Sequence, residues 1–353
     1  MIKKWLNRVF IDGLSGMAMG LFATLIVGTI ISQIGTMIGG QVGEYLIMMA
    51  SVAKVLTGAG IGVGVAHKYG ESPLVTVSAA SAGMIGAFAS KLLAGQVIGD
   101  GVIQLAGAGE PLGAFIAAYV GIELGHLVSG RTKLDILVTP MVTILSGGMA
   151  GLLVGPPISN FMAQLGAMIQ WGTEQQPFLM GIIVSVLMGM ILTLPISSAA
   201  LGVVLNLSGL SAGAAAVGCS TQMVGFAVAS FKENRFGGLV AQGIGTSMLQ
   251  VPNIVRKPLI WVPPVLASAI LGPISTVVLK MTNNAIGSGM GTAGLVGQIM
   301  GYQTMVASGL ESNVVLAEII VMHMIAPAIL TYVIAELMRK KGLIKDGDMK
   351  LDL

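Results

Sequence analysis

Apolar residues run along this chain in long blocks, and the few charges fall between the blocks. Charge-free stretches of about 20 residues match the hydrocarbon thickness of a bilayer, so each block reads as a membrane helix. The spacing predicts helices over Gly13–Ile38, over Tyr45–Ala66 closing at His67-Lys68-Tyr69, over Pro73–Ser90, and over Pro111–Val128. A fifth runs over Ile136–Val154, closed by Pro156-Pro157. Ser159–Trp171 reads as an interfacial helix, with Phe161, Leu165, Met168 and Ile169 near one face. A sixth span, Phe178–Leu194, stops at Pro195. Ser197–Ser230 is long for one crossing and short for two, and Ser197, Ser198, Asn206, Ser208, Ser211 and Gln222 interrupt it. A re-entrant pair or two short, broken helices is expected there. Gly237–Gln250 is a short apolar piece, Leu259–Met281 a full span, and Val314–Met338 the last. The expectation is an all-α polytopic membrane protein with about eight to ten transmembrane helices and two re-entrant, glycine-rich hairpins.

Composition removes the alternatives. Of 353 residues, 54% are hydrophobic and only 9% are charged, against about 25% in a soluble domain. Lys+Arg and Asp+Glu nearly cancel, 18 against 15, so no basic face exists for a nucleic-acid partner. The single cysteine, Cys219, excludes a disulfide scaffold and, with no charged neighbour, reads as a small packing residue. Aromatics make up 5%, while glycine fills 51 positions. That balance favours helices packed through small residues over a barrel with aromatic girdles.

The basic residues then orient the chain. Lys3, Lys4 and Arg8 precede an apolar run too long for a signal-peptide core, which reads as an amphipathic entry into the first helix. Lys68, Arg131, Lys133, Lys232, Arg235, Arg256, Lys257 and the residues from Arg339 to Lys350 fall on the same side as these, and only Lys91 and Lys280 on the other. This asymmetry places both termini in the cytoplasm, in a multi-pass protein of the inner or plasma membrane.

Two stretches share an order of features. Each has a proline-led apolar span ending in lysine (Lys91, Lys280), then Ile98-Gly99-Asp100-Gly101 or Ile286-Gly287-Ser288-Gly289, then a glycine-rich run and another helix. Helices further on carry an acid and a histidine, Glu123 with His126 and Glu318 with His323. An internal parallel repeat accounts for the pattern, as does the general likeness of Gly/Ala/Ser-rich helices. One membrane domain is expected, with halves 13–156 and 177–338 and a cytoplasmic tail over 339–353.

Glycine-rich backbone at membrane depth is tolerated where it is buried in protein or lines a wet cavity. Gln96–Gly113 and Asn283–Gln303 fit hairpins whose tips present backbone groups to a polar solute. Asp100 and Glu110 in the first, with Asn206, Gln222, Asn253, Asn284, Gln298 and Gln303, suit a neutral polyhydroxylated ligand. Each is also an ordinary interhelical hydrogen-bonding residue, and Glu110 an ordinary N-terminal acid. Glu123, His126, Glu318, His323 and Lys54 are the intramembrane ionisable groups, candidates for a proton or charge relay or for structural pairs. With three histidines and no cysteine pair, no metal site is expected. The chain has no P-loop and no His-Glu-x-x-His, so no cofactor and no catalytic role are expected.

Gly109-Glu110-Pro111 heads the stretch from Ala106 to Pro140. Together with Ile244–Val278, which carries Pro263-Pro264, it resembles the enzyme IIC membrane subunits of the bacterial phosphotransferase system. The resemblance covers nearly the whole chain and is strongest to a stand-alone branch that includes a perfringolysin O regulator-like protein. It implies a homodimeric sugar permease in which the Glu-Pro hairpin, here Glu110, and a histidine, His126 or His323, contact sugar hydroxyls. It also implies separate phosphotransferase subunits as partners, because this chain carries neither a IIA nor a IIB module. The leading expectation is transport of a sugar-like solute. The alternatives are a proton- or ion-coupled secondary transporter and a non-transporting membrane sensor with the same fold.

Overall fold

A computed structural model describes residues 6–99 and 102–351. Helices account for most of these residues, and the only named strands are the two-residue pair β1 (Ile98–Gly99) and β2 (Val102–Ile103). Among the described residues six helices are long and apolar enough to cross a membrane, or up to seven if one bent pair forms a single span; Pro73–Ala87 and Pro177–Thr193 are shorter apolar helices. The chain is an all-α polytopic membrane protein. It divides into two compact units, Met1–Ala163 and Gln164–Leu353.

In the first unit, α1 spans Arg8–Ile38. The second predicted span is a bent pair, α2 (Gly40–Val55) and α3 (Thr57–Lys68), meeting at 53°. The α4 helix (Pro73–Ala87) starts where the Ser72 hydroxyl accepts from the Val75 amide, with Pro73 in the first turn where its missing N–H costs nothing. The short α5 (Ala89–Leu93), the β1–β2 hairpin and α6 (Pro111–Val128) follow. Glycine sets the spacing of these helices. A Cβ on Gly16 would lie 2.6 Å from the Gly64 carbonyl oxygen, and one on Gly20 would meet that of Gly60. Gly86 and Gly113 stand in the same relation between α4 and α6. Without a hydrophobic drive between helices in lipid, such backbone contact supplies the packing energy.

The α7 helix corrects the sequence reading. It runs unbroken over Asp135–Thr173, through Pro140, Pro156 and Pro157, so the expected stop at Pro156-Pro157 and the separate interfacial helix over Ser159–Trp171 merge into one element. Two prolines remove two helix donors. They are the amides that would have served the Leu152 and Leu153 carbonyls; on the same stretch the Ser90 hydroxyl donates to the Gly155 carbonyl at 3.0 Å.

In the second unit, α8 (Pro177–Thr193) ends before Pro195. The ambiguous 34-residue stretch resolves unequally, into α9 (Ser198–Val204) and a full-length α10 (Gly209–Ala229). Next come α11 (Phe231–Val240), a π turn (Ala241–Gly245), a 3-10 turn (Ser247–Gln250) and α12 (Val251–Arg256). The long α13 (Pro258–Val278) leads into the four-residue α14 (Ala285–Ser288), then α15 (Val296–Ala307) and α16 (Ser312–Lys340). The core sits around α10, whose middle is enclosed on every side: Val217, Cys219, Ser220, Thr221, Gln222 and Met223 are all fully buried. Small residues make that possible, since Gly218 lies against the Ser185 backbone of α8, and Gly181 against Gly272 of α13.

Candidate functional site

The second glycine-rich stretch breaks the helical ladder at one defined place. Asn284 caps α14, its Oδ1 accepting from the amides of Ile286 (3.1 Å) and Gly287 (3.0 Å). Asn283 donates from Nδ2 to the Gly297 carbonyl at 2.9 Å, which ties the start of the break to the start of α15. Between them, Gly291 (φ +52), Gly294 (φ +53) and Leu295 (φ +59) are all left-handed. Leu295 is strained there, since only residues without a branched or bulky side chain adopt that region readily. A side chain on Gly291 would strike the Cys219–Ser220 backbone. The non-helical segment therefore lies against the midpoint of the full-length span α10, where backbone of this kind is expected only beside protein or a wet cavity.

A buried polar cluster stands at that point. The Gln298 amide, on α15, donates to Ser220 Oγ of α10 at 3.1 Å and lies 2.8 Å from His323 Nδ1 of α16. With both Nε2 protons of the amide so placed, the hydrogen-bond network assigns Nδ1 of His323 as acceptor and the ring proton to Nε2. Gln298 Oε1 is buried with no hydrogen-bond partner, an acceptor whose burial costs energy until a donor reaches it. His323 occupies a π turn, Val321–Ile325. Pro327 cannot donate to the His323 carbonyl, and the Ala326 amide instead reaches back to Val321, so the turn widens where the histidine faces Gln298.

Gln222 lies on the same helix but makes different contacts. Its Oε1 accepts from Trp261 Nε1 (3.0 Å) and Thr193 Oγ1 (3.3 Å), while its Nε2 is buried without a partner. Asn253 belongs to a third cluster, donating to Gln250 Oε1 and to the Lys350 carbonyl. Asn206 sits at an exposed turn with φ +48, and Gln303 is exposed. Glu318 is half-buried on α16. Ser220 and Asn283 are the members sequence reading missed. A serine flanked by Cys219 and Thr221 carries no signal apart from lying two residues before Gln222.

In the first unit, Gly109 (φ +69) packs on Ala87, the Glu110 amide donates to the Ala87 carbonyl at 2.8 Å, and Pro111 opens α6. Glu110 Oε1 is buried with no partner, and burial pushes the carboxyl up to about 7. Asp100 lies outside the described residues. Glu123 and His126 do not bond each other: Glu123 pairs with Arg8 (2.7 Å) and His126 with Glu71 (2.9 Å). Arg8 also reaches Glu71 at 3.1 Å and lies over the Tyr69 ring, so these groups lace the start of α1 to the ends of α3 and α6. Lys54 stands in the last turn of α2, its stem against Gly28, beside the 53° bend.

Residues 11–351 match the family described as Phosphotransferase system, EIIC. No curated protein matches the sequence. The chain belongs to the EIIC family, and is in general kind a sugar-type membrane permease.

Proposed function

We propose that the protein carries a sugar or similar polyhydroxylated solute across the cell membrane, and that Ser220, Gln298 and His323 hold it in the second unit. The observation that carries this reading is the unpartnered, buried Gln298 Oε1 beside non-helical backbone at the middle of a span. A sugar hydroxyl would donate to that oxygen, and the His323 Nε2 proton would reach a second hydroxyl. Neutral amide, hydroxyl and imidazole groups suit a neutral solute, because a charged one would leave its charge unpaired in a low dielectric. Glu110 is a further proposed contact, as a neutral acid able to donate or an anion able to accept.

The chain acts as the permease component, so phosphoryl transfer falls to separate subunits, and a second copy of the chain completes the transporter. Both termini face the cytoplasm in this reading, on the grounds of the Lys/Arg asymmetry. The buried Glu110 carboxyl also favours a second reading, in which a proton accompanies the solute.

Counterflow of labelled sugars into vesicles bearing the purified protein tests the proposal. Exchange of at least one sugar, lost in Gln298→Leu, is expected. No binding and no exchange across hexoses, hexitols, pentoses and disaccharides would remove it. An imposed pH gradient decides the second reading, since exchange indifferent to it excludes proton coupling.

A further inference from the structure

Seven fully or nearly buried polar side chains link the core of the second unit to the chain's own C-terminus. Gln222 Oε1 accepts from Thr193 Oγ1, which lies 2.9 Å from Ser247 Oγ. Ser247 opens the 3-10 turn that ends at Gln250, and residues three apart eclipse in such a turn, so both belong to one face. Gln250 Nε2 donates to Gln242 Oε1 at 2.8 Å, and Gln242 Nε2 to Ser230 Oγ at 2.9 Å. Asn253 completes the row at Gln250 Oε1. These amides and hydroxyls are buried and bond one another, so the row is a continuous polar strip through the core of the unit.

The far end of that row is closed by the tail. Gln250 Nε2 donates to the Met349 carbonyl (3.0 Å) and Asn253 Nδ2 to the Lys350 carbonyl (2.8 Å). Asn234 grips the same segment twice, donating to the Met349 carbonyl and accepting from the Leu351 amide, both at 2.8 Å. Ile344 and Met349 are buried against Phe226, Ile254, Ile260 and Met338. The tail thus meets the row through main-chain carbonyls, which water replaces without loss of hydrogen bonds. The wall it seals, Phe231–Arg256, consists of short pieces: a helix interrupted at Arg235 (φ +53), a π turn, a 3-10 turn and a six-residue helix.

We propose that Ile344–Leu351 is a removable stopper, which closes the row of buried amides at the tail end of the second unit and admits water to it when released. The stopper regulates the permease proposed above and so rests on that reading. Water access is measured without any solute, so the two fail separately.

The test uses the full chain in vesicles, with Cys219→Ala and Ser247→Cys, and follows labelling by a charged methanethiosulfonate. The tail-docked protein should label slowly. Asn234→Ala with Asn253→Ala should raise the labelling rate about tenfold or more, and trypsin should then cut at Lys345 and Lys350. A chain ending at Gly342 should label as fast, and an added peptide of sequence LIKDGDMKLDL should slow it again. Fast labelling with the tail docked, or slow labelling once trypsin reports release, overturns the proposal. So does loss of the folded protein in both the double variant and the shortened chain, because a part needed for folding is not a stopper.

Discussion

The two units spend the same small residues differently. In the first, glycines bring backbone onto backbone, as at Gly20 with Gly60, and the hydrogen-bonded ionic groups Arg8, Glu71, Glu123 and His126 gather at helix ends. In the second, glycines also draw helices together, but the space between holds amides and hydroxyls: Gln222, Gln242, Gln250 and Ser220 are fully buried. Close packing in the first unit is mostly backbone on backbone and leaves Gln33 Oε1 and Glu110 Oε1 buried without partners, whereas in the second it encloses a larger set of buried polar groups without partners, Gln222 Nε2 and Gln298 Oε1 among them. A glycine-rich composition therefore does not distinguish scaffold from site. The partners left over after packing do.

The strongest way to break this contrast is to fill a backbone contact. Gly20→Leu should cost about 3 kcal/mol and lower the thermal midpoint of the detergent-solubilised protein sharply. Gly237→Ala, with open space around it on a helix, should leave that midpoint unchanged or raise it slightly. If both behave alike, the first unit is not held by backbone contact. In the second unit the expected loss is functional. Gln298→Leu should weaken sugar binding by about 2 kcal/mol, roughly thirtyfold, and should also lower the thermal midpoint, because the buried His323 Nδ1 loses its donor even as the orphaned Oε1 is removed. A binding titration and a melting curve on one sample separate the two effects.

Glu110 supplies a pH-dependent effect within the first unit. Its carboxyl is held up to about 7 by burial, against 4.5 ordinarily. Between those values the folded chain keeps a proton that the unfolded chain has released. The contribution to stability is therefore full below about 4.5, falls as pH rises to about 7, and is flat above. Glu110→Gln should flatten this stretch of the stability profile. The smallest change is expected at the helix ends: His126→Ala removes an exposed partner of Glu71 and should cost about 0.5 kcal/mol, within the scatter of most melting assays but visible in a double variant with Arg8→Ala.

Much of the architecture was legible because charge is scarce. Pro111–Val128 matches in both bounds, and the ends of the other main spans fall near the charged or proline positions that delimit them. What escaped was set by tertiary contact. Pro156 and Pro157 end a helix by propensity, yet α7 continues through them, packed beside Ser90, which bonds the Gly155 carbonyl. Glu123 and His126, three apart on one helix, read as a pair until Arg8 and Glu71 arrive from elsewhere in the chain. Gln298 and His323 were visible as polar residues in apolar runs. Ser220 was not, since a hydroxyl in a small-residue helix has no pattern of its own, and the tail's return to Asn234 and Asn253 leaves no periodic trace.

The π turn at His323 sets the phase of the last helix. One residue more than an α-helical turn rotates everything after it by about 100°. Glu318 and Ile319 on one side of the turn, and Thr331 and Ala335 on the other, therefore address neighbours that an uninterrupted helix could not serve together. Deleting a single residue between Val321 and Ile325 would restore an ordinary helix and swing Arg339 off the Ala229 carbonyl it now holds at 2.8 Å. The buried histidine and the Arg339 contact at the end of the helix are thereby coupled through the angular register of one helix, and a change in that register would be felt at both.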